Sequence, residues 1–156
     1  MKYVLKPLNK DLTTRALTVL VVDDEMGVRE SLRMILKDRY VVLTAKNETE
    51  ALERLTESNI DIDIVALDIR LGDKNGIDVL KTIKHVAPDV EVFLVTGFPS
   101  VETAIRAIRF GAYDYVVKPF DKNVVLEVVR KGVLRQGQSL FEKRLRIRNQ
   151  RLKTAS

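Results

Sequence analysis

The chain contains no cysteine, one histidine, four prolines and seven glycines in 156 residues. Without cysteine there is no disulfide framework and no thiolate metal site, which fits a reducing compartment. No apolar run approaches the ~20 residues of a membrane-spanning helix. The stretch from Met1 to Leu17 lacks an apolar core of signal-peptide length. A cytoplasmic protein is therefore expected. No Gly-x-Gly-x-x-Gly follows the first apolar run, which excludes the usual dinucleotide-binding turn. Internal repeats and low-complexity segments are also missing.

What is present is unevenly charged. The net charge of +5 hides three regimes. Residues 1–17 carry four bases and one acid, residues 18–119 carry 13 bases and 18 acids, and residues 120–156 carry ten bases and three acids. An acidic body with a basic tail points to different partners for the two parts. The boundaries expected are an N-terminal extension over 1–16, a globular domain over 17–132 and a basic helical tail over 133–156.

Within the body, short β-branched runs alternate with helical patterns. Thr18–Val22 is continuously apolar, as in a strand buried on both faces. Val28, Leu32, Ile35 and Leu36 fall on one helical stripe. Strands are expected at Tyr40–Thr44, Ile62–Leu67, Glu91–Val95 and Tyr113–Val117. Asn47 and Glu50 suggest a capping box before a helix carrying Ala51, Leu52 and Leu55. A third helix follows Gly76, and Ser100 caps a fourth that Gly111 closes. Strict alternation implies a parallel sheet with helices on both faces. The expected fold is α/β, a flavodoxin-like doubly wound five-stranded parallel sheet of order 2-1-3-4-5, with an extended C-terminal helical segment. Its crevice lies outside the carboxyl ends of the first and third strands.

The polar residues at those ends suit one chemistry. Asp23 and Asp24 follow the first strand, Asp68 the third, Thr96-Gly97 the fourth and Lys118-Pro119 the fifth. Clustered carboxylates repel one another, and a hard cation such as Mg²⁺ relieves that repulsion. A carboxylate at the end of a buried strand can attack a phosphoryl group and form an acyl phosphate. Metal plus Lys118 would neutralise the transferred charge, and Thr96 can hydrogen-bond a phosphoryl oxygen.

Val-Val-Asp-Asp-Glu at 21–25, Leu-Asp at 67–68, Val-Thr-Gly at 95–97 and Gly-Ala-Tyr-Asp-Tyr-Val-Val-Lys-Pro-Phe at 111–120 occur in the order and spacing of a known family. The chain resembles the receiver domain of bacterial two-component response regulators over about residues 18–130, particularly the receivers of enhancer-binding transcriptional activators. The resemblance implies a phosphorylation-activated switch rather than an enzyme. It implies Asp68 as phosphoacceptor. It implies Mg²⁺ held by Asp23, Asp24, Asp68 and the backbone carbonyl of Arg70. Thr96 and Lys118 would contact the phosphoryl group, Tyr115 would rotate inward with Thr96, and Lys118–Pro119 would be cis. The partner implied is a sensor histidine kinase or phosphotransfer protein, since His85 falls on a helix away from the crevice. One departure stands out. The proline common four residues after the acceptor is replaced by Gly72, with charged Lys74 beyond it, which predicts a more mobile loop. Arg70 and Phe98 would flank the phosphoryl site.

An aspartyl-phosphate phosphatase is disfavoured because Asp68-Ile69-Arg70 lacks a second acid. Nucleic-acid binding would rest on the basic tail alone. Past Phe120 there remain 36 residues, so the output is expected from a partner, the tail or a domain outside this sequence. Leu134, Gln138, Phe141, Leu145, Arg148 and Leu152 follow a heptad seam, which suggests a homodimer through 133–153. Gly132 and Gly137 predict a break in the helix near Gln136–Ser139.

Overall fold

A computed structural model describes residues 16–57 and 59–155. The expected extension over 1–16 lies, apart from Ala16, outside the described residues. The elements run β1 (Thr18–Val22), α1 (Met26–Leu36), β2 (Val41–Ala45), α2 (Glu48–Thr56), β3 (Ile64–Asp68), β4 (Arg70–Leu71), β5 (Lys74–Asn75), α3 (Gly76–Val86), β6 (Glu91–Thr96), α4 (Val101–Arg109), β7 (Ala112–Val117) and α5 (Lys122–Thr154). The main sheet is parallel, in the order β2-β1-β3-β6-β7. With the small β4–β5 hairpin set aside, this is the order 2-1-3-4-5 expected from the alternation.

Side-chain alternation along the strands divides the core in two. Leu20, Val22, Val65, Leu67, Val92 and Leu94 face α2, α3 and Ala107 of α4. Val19, Val21, Ile64, Ala66, Phe93 and Val95 face α1 and α5. Both faces of the central strands are thus covered, which is why those strands read as unbroken apolar runs.

The caps follow the sequence. Asn47 Oδ1 accepts from Glu50 N, and Ser100 Oγ accepts from Thr103 N. The return bond of the capping box lands one residue early, since Glu50 Oε2 accepts from Lys46 N. The third strand starts at Ile64, not Ile62. Asp63 is diverted because its carboxylate accepts the Thr18 N–H at 2.9 Å.

The sequence predicts a more mobile loop for the segment after Asp68. That segment forms an antiparallel hairpin, with Arg70 opposite Asn75 and Leu71 opposite Lys74. Gly72 turns it at φ +60°, a conformation that L side chains rarely adopt.

The expected helix break does not occur. α5 runs unbroken from Lys122 to Thr154. Val125, Val128, Val129, Gly132 and Gln136 form its buried stripe. Gln136 Nε2 donates to the backbone oxygens of Asp63 and Asp89. Arg135 pairs with Glu91, and Lys143 pairs with Asp89. These ties offset the roughly 1 kcal/mol that each glycine costs a helix relative to alanine. Gly132 also has a packing reason, because a Cβ there would lie 2.4 Å from the Tyr113 hydroxyl oxygen. Among the described residues, no helix is long and apolar enough to cross a membrane.

Candidate functional site

Parallel pairing brings the strand ends to one level. β1 and β3 align Val22 with Leu67, and β3 and β6 align Asp68 with Val95. Asp23, Asp68 and Thr96 therefore emerge side by side, and all three are buried. Gly76 is what lets α3 start directly beneath them. A Cβ at Gly76 would sit 2.5 Å from Ile69 Cα and 2.6 Å from the Asp68 carbonyl oxygen.

Lys118 completes the group from the neighbouring strand β7. Its backbone N–H donates to the Thr96 carbonyl at 2.7 Å. The bond to Pro119 is cis, as the resemblance implied. The ammonium reaches Asp23 Oδ2 at 3.0 Å and Asp68 Oδ2 at 3.5 Å. The structure thus joins Asp23, Asp68 and Lys118 directly.

Electrostatics set Asp68 apart. Burial, then the neighbouring charge of Asp23, push its carboxyl up to about 6. The Arg70 N–H, donating to Oδ1 at 3.2 Å, and the Lys118 ammonium pull the other way. For Lys118, burial opposes the charged form. The Asp23 hydrogen bond, with the charges of Asp23 and Asp68, outweighs that and raises its pKa. The crevice keeps its ammonium and strains its carboxylate.

The donor set suits a hard cation. Carboxylate oxygens of Asp23, Asp24 and Glu25 lie within 4.8 Å of one another. Glu25 had no role in the sequence reading, although it closes the Asp-Asp-Glu run. Asp68 stands outside that trio and is linked to it through Lys118. Asp24 is exposed, and its Oδ2 accepts the Gly72 N–H at 3.0 Å. At Arg70 the observed link to the site is the N–H rather than the carbonyl. Its guanidinium carbon sits 3.6 Å from the centroid of the Phe98 ring. The two residues expected to flank the site are therefore stacked on each other.

The elements around Thr96 form one connected run. Thr96 Oγ1 accepts from Phe98 N at 2.9 Å. The half-buried Tyr115 uses its hydroxyl to accept from Ser100 N at 3.2 Å. Tyr115 is thereby tied to the N-cap of α4. On α4 itself, Val101, Ile105 and Ile108 are 77%, 53% and 67% exposed. Only Ala107 of this helix is buried, so its apolar stripe faces outward. His85 is exposed on α3, away from these strand ends.

Residues 19–130 match the response regulator receiver domain family. A putative NtrX-like response regulator of Rickettsia bellii is 39% identical over 111 residues, covering 69% of this chain and 23% of that protein. The transcriptional regulatory protein ZraR of Escherichia coli K12 is 37% identical over 123 residues, covering 78% of this chain and 27% of ZraR. The chain thus spans about a quarter of the length of these curated relatives. Among solved structures, NtrX from Brucella abortus in complex with ADP superposes with a TM-score of 0.77 at 31% identity, covering 84% of this chain and 30% of that one. The beryllofluoride-activated NtrC4 receiver domain dimer gives a TM-score of 0.71 at 34% identity, covering 76% of this chain and 98% of that one.

Proposed function

The chain belongs to the response regulator receiver domain family of two-component systems, and on that premise we propose that Asp68 accepts the phosphoryl group and that the crevice around it is the transfer site. The observation that carries this reading is the Lys118 ammonium spanning Asp23 and Asp68 beside buried Thr96. Asp68 attacks phosphorus as a carboxylate. A P–O bond to Asp68 forms while the bond from phosphorus to the donor breaks, and the electron pair leaves with the donor. Lys118 offsets the charge gathered on the phosphoryl oxygens. The Thr96 hydroxyl, whose oxygen accepts the Phe98 N–H, donates its own proton to one of those oxygens.

Receiver domains bind Mg²⁺ at an acidic pocket, and this chain has such a cluster. We assign Mg²⁺ to Asp23, Asp24 and Asp68 with the Arg70 carbonyl, and Glu25 stands beside them. When bound, the ion supplies charge neutralisation for the transferred group. The donor is a sensor histidine kinase or a phosphotransfer protein. The domain itself is not an enzyme in this reading; it assists its own phosphorylation and hydrolysis, in the cytoplasm.

A bound phosphoryl group shifts a two-state equilibrium only through contacts that differ between the states. Thr96 provides such a contact, and Tyr115 carries it to the α4 N-cap and the apolar face of α4. Pairing of two copies through 133–153 is the second part of the proposal. Leu134, Phe141, Leu145 and Leu152 of the heptad seam are all exposed, and the related NtrC4 receiver is described as a dimer.

Intact-mass measurement with acetyl phosphate tests the acceptor. One phosphoryl group should be added when Mg²⁺ is present and none under chelator. Equal labelling of Asp68→Asn would remove the assignment.

A further inference from the structure

The β4–β5 hairpin makes three connections that the transfer chemistry does not use. Its tip donates the Gly72 N–H to Asp24 Oδ2 at 3.0 Å. Its first strand sends Arg70 onto the Phe98 ring at 3.6 Å. Its second strand sends Lys74 to Glu48 Oε2 of α2 at 3.1 Å. The six residues from Arg70 to Asn75 are therefore fastened to the β1–α1 loop, the β6–α4 loop and the start of α2.

The tie to Asp24 depends on the departure from the common family pattern. A proline at 72 has no N–H to donate and is held at φ near −65°. Gly72 supplies the donor and reaches φ +60° without strain. A Cβ there would meet nothing within 4 Å. Space does not require glycine at this position; the backbone angle does. Asp24 is exposed, and among the described residues the Gly72 N–H is the one hydrogen-bond donor to its carboxylate. A carboxylate oxygen has lone pairs for both an N–H and a cation. A hydrogen-bonded carboxylate ligand is held in orientation, and losing such a partner costs metal affinity.

We propose that Gly72 is a positioning residue of the Mg²⁺ site, its backbone N–H holding the Asp24 carboxylate in place while Arg70 and Lys74 hold the hairpin against Phe98 and Glu48. This rests on the assignment of Asp24 as a Mg²⁺ ligand. The hairpin is then a wall of the cation site, not a bystander to it. Gly72 contributes without touching the ion.

Mg²⁺ titration of the full chain, followed by backbone amide NMR in the absence of any phosphodonor, tests this. The Gly72 amide proton should shift along the same binding curve as the amides of Asp23 and Asp24. Gly72→Pro should bind Mg²⁺ about tenfold more weakly, at the lower end of the effect of losing an outer hydrogen-bond partner. Lys74→Ala, which keeps the Gly72 N–H and loosens only an exposed ion pair, should change affinity about twofold or less. If Gly72→Pro proves unfolded, the wild-type Gly72 amide response decides. A Gly72 amide that stays still while Asp23 and Asp24 respond overturns the positioning role. So does a folded Gly72→Pro of unchanged affinity. If no amide of the wild-type crevice responds to Mg²⁺, it is the site assignment that fails.

Discussion

Strand β3 carries an aspartate at each end, and the two are held in opposite ways. Asp63, just before the strand, and Asp68, its last residue, are both buried. Asp63 is fastened: its carboxylate accepts from Thr18 N at 2.9 Å and its carbonyl accepts from Gln136 at 2.8 Å. Asp68 receives one N–H bond of 3.2 Å and shares a single ammonium with Asp23. The amino edge of the sheet uses its aspartate to anchor β1 and α5. The carboxyl edge leaves its aspartate desolvated and under repulsion from Asp23, which a cation or a proton would relieve. Burial alone does not separate a structural carboxylate from a reactive one; the partners do.

The largest effect expected from this contrast is on stability without metal. The Asp68 carboxyl titrates at about 6 when folded, against about 3.9 for an unperturbed aspartate. The folded protein therefore binds the extra proton. The penalty is full above pH 6, fades as pH falls towards 4 and is absent below that. Each pKa unit corresponds to about 1.4 kcal/mol, so Asp68→Asn should raise the unfolding free energy at pH 7 by roughly 2–3 kcal/mol. Urea unfolding in chelator at pH 7 and pH 5 measures this. The gain should be smaller at pH 5.

The opposite edge should respond with the opposite sign. Asp63→Ala strands the buried Thr18 N–H and should cost about 1–3 kcal/mol. Gln136→Ala takes a donor from the Asp63 and Asp89 carbonyls, of which Asp63 keeps the Glu91 N–H, and should cost about 1 kcal/mol. Neither should alter Mg²⁺-dependent phosphorylation of Asp68, as intact-mass measurement can check. Loss of labelling in a folded Asp63 variant would break the division between the two edges.

The tail that Gln136 anchors should associate weakly. Residues 143–153 carry six basic side chains and no acid, so paired tails repel at low salt. Association should strengthen as salt screens that repulsion. Sedimentation of the full chain against one ending at Gly132 is the check. A monomer at high salt and high concentration in both would leave the heptad seam without a role in pairing.

The smallest effect concerns the stack above the acceptor. A cation–π pair at an exposed site is worth about 0.5–1 kcal/mol. Arg70→Ala or Phe98→Ala should therefore speed loss of the phosphoryl group by about two- to fivefold. Unchanged dephosphorylation rates would show that the stack does not shield the site.

The contrast also explains what the sequence made legible. The central strands β1, β3 and β6 announce themselves because an interior strand buried on both faces must be apolar almost throughout. Asp23, Asp68, Thr96 and Lys118 were readable because a parallel sheet sends every strand end to the same edge. The hairpin was not, since Gly72 and Lys74 resemble an ordinary loop and its bonds run to distant residues. The Gln136 latch was hidden for the same reason. Its partners are backbone carbonyls 73 and 47 residues away, and glycines on either side argued for a break. The outward apolar face of α4 carries the same periodicity as an inward one, so spacing alone could not orient it.

The distinction between the two aspartates of β3 is tested most directly by finding which of them carries phosphate. After treatment with acetyl phosphate and Mg²⁺, borohydride reduces an aspartyl phosphate to homoserine, and peptide sequencing by mass spectrometry locates it. Homoserine at position 68, with Asp63, Asp23 and Asp24 unmodified, is the predicted result. Homoserine at any of those other positions, or its absence from a protein whose intact mass shows phosphorylation, would contradict the account.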